Sequence, residues 1–340
     1  PEVLYDPKGK TMDIQRERKI VAILKVLKMA KGPLGSTQIG EQIQGFGIHL
    51  SHRTVRHYLA MTDALGMTRK LSGRLGREIT AEGEAELQDA LVVDKVGLVS
   101  SRMDDLSYKM NFSLKKRSGL VVVNVSLIDE ARFPGAIEMM APVFQKGLGM
   151  GKYICSARPG EKIGDFPVPS GKVAIGTICS VAINGILIHA GIPVTSRFGG
   201  LLEIYEGRPY RFTEIIHYDG TSLDPLEIFI KGQMTRVTEA VTTGRGRIGA
   251  SFREIPAAAL PQMHKLVKAL EAIGLGAVLA VGKPNQPLLD IPVVEGRAGI
   301  VVAGGLNPVA AVEEQGIGTE NLAMGALFEF ENLVAYTSLE

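Results

Sequence analysis

Shifted by 127 positions, much of this chain lies over itself, and that self-similarity limits its possible folds more than any other feature. Gly119 meets Gly246, Pro134 meets Pro261, and Gly147-Leu148-Gly149 meets Gly274-Leu275-Gly276. Beyond a small deletion the offset becomes 125. Pro167-Val168 then meets Pro292-Val293, Gly171 meets Gly296, Ile175 meets Ile300, Gly191-Ile192 meets Gly316-Ile317, and Gly200 meets Gly325. Chance alignment of a chain with 40 glycines is the alternative, but the matches keep their order over roughly 85 residues. Each copy reads as an amphipathic lead, a strand, a helix, two strands, a helix and a strand. The first copy places these strands at 120–127, 152–156, 173–178 and 201–205, with helices at 133–146 and 180–191. The second places strands at 248–252, 277–282, 299–303 and 327–331, with helices at 260–273 and 308–315. The expected fold is an α/β (α+β) domain of two homologous tandem half-repeats, 91–210 and 211–336. A pseudo-two-fold relates them, and a ligand cleft lies between them.

The 90 residues ahead of the repeat differ in charge. Residues 1–77 hold 14 Lys/Arg against 6 Asp/Glu, a net of +8, and with +2 over the whole chain the remainder stands at −6. A basic head on an acidic body fits a polyanion partner for the head alone. Ile20, Ile23, Leu24 and Leu27 mark a first helix ended by Gly32-Pro33. Ser36-Thr37 caps a second over 38–44, and Ser51 caps a third over 51–65 with Val55, Leu59, Thr62 and Leu65 inward. Residues 67–80 read as a hairpin with a basic, Gly-containing tip, and Thr80 caps a last short helix over 81–90. Three helices and a two-stranded wing over 12–90 are the winged helix-turn-helix plan. Thr37, Ser51, His52, Arg53, Thr54, Arg56 and His57 are candidates for DNA contact from the helices. Arg69, Lys70, Arg74 and Arg77 are candidates from the wing. A charge run is more often a solvated helix face, and small winged helices also dock proteins. Caps, helix order and a basic wing in one segment favour DNA.

In the body, the chemistry falls at matched places. Cys179-Ser180 and Asn184 lie where a strand of the first copy feeds a helix, and Gly304-Gly305 and Asn307 lie at the same place in the second. Such a junction presents free N–H groups and the positive helix end, which suit a carboxylate or phosphate. A predicted loop Arg197-Phe198-Gly199-Gly200 adds a cation beside glycines. Thr221-Ser222 forms a polar turn ahead of Asp224, and Ser251 and Arg253 sit at a predicted strand end. Plain tight turns and simple helix capping are the alternatives for these clusters. Cys179 with His189 or His217 offers a conceivable nucleophile and base, but a lone Cys is more often a small buried hydrophobe. No catalytic residue, metal site or nucleotide fingerprint is assigned. With 2 Cys there is no disulfide framework or Cys-based zinc site, and a reducing, cytoplasmic setting is expected. Residues 173–196 carry no Asp, Glu, Lys or Arg, but Gly176, Asn184, Gly185, Gly191 and Pro193 break the run, so no membrane span is expected.

Several strings resemble the effector domain of the archaeal nitrogen-regulatory repressor family, NrpR. They are 179–185 with its Cys-Ser and Asn-Gly pairs, 191–193, 198–200, 220–227, 250–256 and 303–308. The segment ahead of them resembles that family's winged helix. The resemblance implies a dimeric repressor of nitrogen-assimilation genes that binds double-stranded operator DNA and is released by 2-oxoglutarate. It implies no cofactor, and it leaves open a second repressor subunit, a second effector domain or the transcription machinery as partner. The residues alone leave an alternative, an α/β metabolite-binding protein or enzyme with an accessory winged-helix nucleic-acid or protein-docking domain.

Overall fold

The computed structural model describes residues 14–30, 32–44, 48, 50–71, 76–90 and 98–338, without the side chains of 14–18 and 88–90. The chain divides into two units at Gly97/Leu98, not at 90/91.

In the first unit, helices α1 (Ile14–Met29), α2 (Ser36–Ile43) and α3 (His52–Ala64) precede strands β1 (Thr68–Lys70) and β2 (Arg77–Ile79) and helix α4 (Ala81–Ala90). The apolar stripes meet as expected: Ile20, Ile23, Leu24 and Leu27 bury against Ile39, Ile43, Val55 and Leu59. β1 and β2 pair antiparallel with Thr68 opposite Ile79, and Leu34 adds a bridge to Arg77. Gly83 lets α4 approach the Met67 carbonyl where no side chain would fit. Thr80 caps this helix, its Oγ1 accepting from Gly83 N at 3.0 Å. The cap of α2 is Gly35 rather than Ser36-Thr37. Its N–H donates to Gln38 Oε1, so Gln38 supplies the side-chain bond expected of Ser36.

The second unit opens with α5 (Val99–Lys109), β3 (Leu120–Asp129), α6 (Phe133–Gln145) and β4 (Tyr153–Ala157). A small ribbon β5 (Lys162–Ile163) and β6 (Phe166–Pro167) leads to β7 (Lys172–Ile178), α7 (Ala182–His189), β8 (Thr195–Tyr205) and β9 (Arg208–His217). Then come α8 (Pro225–Lys231), α9 (Val237–Thr243), β10 (Gly246–Pro256), α10 (Leu260–Ala272) and β11 (Val278–Val281). The chain finishes with β12 (Arg297–Ala303), α11 (Asn307–Glu314), β13 (Glu320–Glu329) and β14 (Val334–Ala335). The repeat is structural. Gly147 and Gly274, Gly171 and Gly296, and Gly191 and Gly316 all take positive φ in both copies, so the matched glycines end matched helices and turns.

The halves are not separate bodies. One sheet runs β13-β3-β7-β4-β14 and the other β11-β12-β10-β8-β9, every ladder antiparallel. The last strand of each copy therefore joins the other copy's sheet: β8 pairs with β10, and β13 with β3. The cores mix the copies as well. One packs α6 of the first copy with α11 of the second, and the other gathers residues of both α7 and α10. The expected boundary at 210/211 falls inside β9, an edge strand with no counterpart in the repeat. The strand expected at 201–205 begins at Thr195, so Arg197 to Gly200 are strand residues, not a loop. The strand expected at 327–331 begins at Glu320.

Candidate functional site

β7 and β12 end at matched positions in the turns that start α7 and α11. Both turns line one pocket: Ser180 and Val181 from the first, Gly305 and Leu306 from the second, closed by Tyr218 and Asp224. The pseudo-two-fold thus brings the positive ends of two eight-residue helices to one place. The pocket encloses about 10 Å³, room for roughly one water.

Behind Ser180 lies Arg253, with 0% of its surface exposed, in the interior of β10 and not at its end. Its Nε donates to Asn184 Oδ1 at 2.6 Å, Nη1 donates to Ser251 Oγ, and Nη2 donates to the Ser180 carbonyl at 3.0 Å and hydroxyl at 3.3 Å. Asn184 in turn donates to Ser196 Oγ at 2.9 Å. All these acceptors are neutral. Burial pulls the guanidinium below its ordinary value, yet an arginine stays charged in proteins. A buried cation held only by neutral groups is poised for an anion. The offset of 127 puts Ser126 where the second copy has Arg253. Ser126 is buried with an unpartnered hydroxyl, so the two symmetric junctions share one cation.

Asp224 opposes it in charge. Its Oδ1 caps α8, accepting from Leu226 N at 2.9 Å and Glu227 N at 3.3 Å. Burial, and then the charge of Glu227, push its carboxyl up to about 6, against the pull of those two amides and of Arg102. A carboxyl with a raised folded-state pKa adds stability below its unfolded value of 3.8, and that stability is lost as pH rises towards 6. Asp224→Asn keeps the cap. In thermal melts it is expected to exceed the wild type above pH 6 and to match it near pH 4. Burial also pushes the thiols of Cys179 and Cys155 up to about 12 and raises the Tyr218 hydroxyl. A neutral thiol is a poor nucleophile. Neither histidine is placed to serve it as a base. His189 bonds through Nδ1 to the Gly185 carbonyl of its own helix, and His217 is exposed.

The predicted ligand residues divide. Cys179, Ser180 and Gly305 line the pocket, and Asn184, Ser251 and Arg253 form the network behind it. Gly199 adjoins it, since a side chain there would strike the Tyr218 hydroxyl and Pro225. The others serve the fold. Arg197 pairs with Glu254 on the opposite face of β10 from Arg253. Asn307 staples Gly249 N, Gly249 O and Leu148 O at 2.8, 2.9 and 2.7 Å. Gly304 gives room to Leu226 and Gly249, and Gly200 to the Glu214 carbonyl. The Thr221 hydroxyl bonds the Leu223 backbone within its own turn, the Thr221 carbonyl accepts from Val99 N at 3.0 Å, and Ser222 is exposed. Sequence reasoning missed Tyr218 and did not count Asp224 among the ligand candidates, with simple helix capping as the alternative for its cluster. A buried Tyr beside the Asp-Pro helix start was the available signal.

A larger concavity of about 590 Å³ lies between α9 and α11, rimmed by Glu239, Glu313 and Glu314. Its Arg236 donates to the Gln233 and Thr235 carbonyls, and Glu314 caps α9. Nothing there invites an anion. Among the described residues, no group of three His, Cys, Asp or Glu is placed to hold a metal ion, and no helix is long and apolar enough to cross a membrane.

In the first unit, α3 begins at its Ser51 cap, whose Oγ accepts from Thr54 N at 3.2 Å and bonds Thr54 Oγ1 at 2.8 Å. His52, Arg53, Arg56 and His57 are exposed along its first two turns, and Thr37 is exposed on α2. On the wing, Lys70 is exposed and Arg69 is paired with Glu78 across the strands. Arg77 is partly buried: its Nε donates at 2.8 Å to Asp63, tying the wing to α3, and 18% of its side chain is exposed. Arg74 lies outside the described residues.

Comparison with known proteins adds names to this architecture. The family model for NrpR regulatory domains NRD1 and 2 matches residues 96–335, and that for the ribonuclease R winged-helix domain matches 21–87. A global nitrogen regulator NrpRI of Methanosarcina mazei is 35% identical over 325 residues, covering 95% of this chain and 99% of the relative. A global nitrogen regulator NrpR of Methanocaldococcus jannaschii is 29% identical over 317 residues, 93% of this chain and 55% of the relative. The chain thus spans about half of that longer relative. The crystal structure of a nitrogen repressor-like protein from Methanococcus jannaschii superposes with a TM-score of 0.60 at 30% identity, covering 70% of this chain and 98% of that one.

Proposed function

Because the chain belongs to the NrpR family of nitrogen regulators, we propose that it is a transcriptional repressor of nitrogen-assimilation genes whose grip on operator DNA is released by 2-oxoglutarate. Its family consists of regulators rather than enzymes, which matches a pocket whose thiol is held neutral. The observation that carries the effector reading is Arg253: a buried guanidinium without a carboxylate partner, set behind the meeting point of two helix starts. One carboxylate of 2-oxoglutarate bonds at the Ser180 side, where Arg253 gives a charge-assisted contact, and the other reaches the Gly305 side. The closed pocket has no space for it, so entry spreads the two junctions. A ligand that binds only the spread form shifts the population towards it. A tenfold loss of DNA affinity then needs about 1.4 kcal/mol of coupling.

The DNA-binding form is a homodimer, and its operator is an inverted repeat with half-sites about one helical turn, or a small multiple, apart. Arg53→Ala and Arg56→Ala are each expected to weaken operator binding by about 1–3 kcal/mol in a mobility-shift titration if the side chain reads a base. Lys70→Ala should weaken all duplexes alike and reduce the salt slope by about 1. Normal binding by all three variants would remove the winged helix from DNA recognition. Release is tested in the same assay by adding 2-oxoglutarate, with succinate and glutamate as controls. An operator complex indifferent to all three would end the effector reading.

A further inference from the structure

The two carboxylates of 2-oxoglutarate, together with Asp224 and Glu227, outnumber the two cations Arg253 and Arg102. Resting on the effector reading above, we infer that 2-oxoglutarate binds together with one proton, held between its second carboxylate and Asp224. The geometry supports it. Asp224 lines the pocket with Ser180 and Gly305. Leu226, two residues on, fills the space that Gly304 leaves at the second junction, so Asp224 reaches that junction, with Cys179 of the first junction and Arg102 within electrostatic range. Its Oδ1 is occupied by the amides of Leu226 and Glu227. Its other oxygen takes the proton and donates it to the ligand. Two ionised carboxylates in that space would repel, whereas one shared proton turns the repulsion into a short, charge-assisted hydrogen bond.

The surrounding charges agree with this. Glu227 on α8 disfavours ionisation of Asp224, and Arg102 on α5 opposes that effect. Arg102 also spends an Nη2 donor on the Met324 carbonyl at 2.9 Å. Glu227 is held by Ala323 N. Tyr218 and Cys179, the remaining titratable groups at the pocket, are both kept neutral by burial. Arg253 faces those two groups from β10. Asp224 begins from an already raised carboxyl, and a bound anion raises it further. At neutral pH the free protein is ionised there and the complex is not, so binding takes up a proton.

Calorimetry of the full chain with 2-oxoglutarate reads this directly, in two buffers of different ionisation heat. Close to one proton should be taken up per ligand at pH 7.5 and close to none at pH 5. Above pH 6 the affinity should fall by about tenfold per pH unit. Asp224→Asn, which keeps the helix cap, should bind with no uptake and no pH dependence. Binding by the wild type without proton uptake at pH 7.5, still abolished by Arg253→Met, would overturn the shared proton and leave the site standing. Uptake that persists in Asp224→Asn would overturn it equally. Undiminished binding by Arg253→Met would sink the site reading itself. The proton count on the wild type decides the matter even if the Asn variant fails to fold.

Discussion

Gly305→Ala is expected to lower the unfolding free energy by about 3 kcal/mol, measured by urea denaturation. Gly305 does not take a positive φ, so the effect is one of space and not of backbone freedom. A methyl there would overlap the Ile178 carbonyl oxygen and stand 2.6 Å from Asn124 Nδ2. Neither neighbour can yield cheaply. Ile178 is the last residue of the central strand β7. Asn124 is fixed through Met324 N at 3.1 Å and Thr177 Oγ1 at 3.3 Å. The α11 junction would have to back away from β3, and the pocket would lose its second wall. The neighbouring Gly316→Ala makes a control, since nothing lies within 4 Å of its added methyl; its positive φ alone should cost about 1 kcal/mol. Equal losses in the two variants would show that the close approach at Gly305 contributes nothing.

The second large effect separates binding from stability. Arg253→Met should reduce 2-oxoglutarate affinity by about 100-fold or more, since a charge-assisted hydrogen bond to a desolvated guanidinium carries about 3 kcal/mol. Stability should change by less than about 1 kcal/mol. Met fills much of the same space and removes a buried charge that costs desolvation. Against this, Asn184 and Ser251 lose a partner. Operator binding without ligand should be unchanged and release abolished. A variant that melts far below the wild type would identify Arg253 as a structural post, and one that releases normally would place the effector elsewhere.

What the sequence made legible was periodicity and coincidence of type. The repeat, its helices and the winged helix all follow from spaced apolar residues, caps and matched glycines. The two strand-to-helix junctions were found because Cys179-Ser180 and Gly304-Gly305 fall at one offset in the repeat. Pairing was not legible. Nothing local in 195–205 or 320–329 says that each strand leaves its own copy for the other sheet, because a strand's alternation specifies which face is buried and not which neighbour it joins. For the same reason Arg197 and Arg253 looked equivalent in sequence. One strand position separates Arg253 from Glu254, and that position decides which cation meets the pocket and which meets a carboxylate. The pairing of Arg77 was hidden in the same way, because Asp63, its partner, lies 14 residues away.

The exchanged strands also bear on how the protein is made. Asn124 on β3 holds the Met324 amide, 200 residues further along the chain. While a ribosome extrudes the first copy, β3 has its β7 neighbour on one side and, on the other, a bare row of backbone donors and acceptors. Only β13, synthesised long after β3, covers that row. Contacts of such long sequence separation close late and slowly, and an open strand edge recruits other nascent chains meanwhile. Deleting the segment from Glu320 onward should therefore give aggregates or a reciprocally swapped pair of chains, and not a smaller folded monomer.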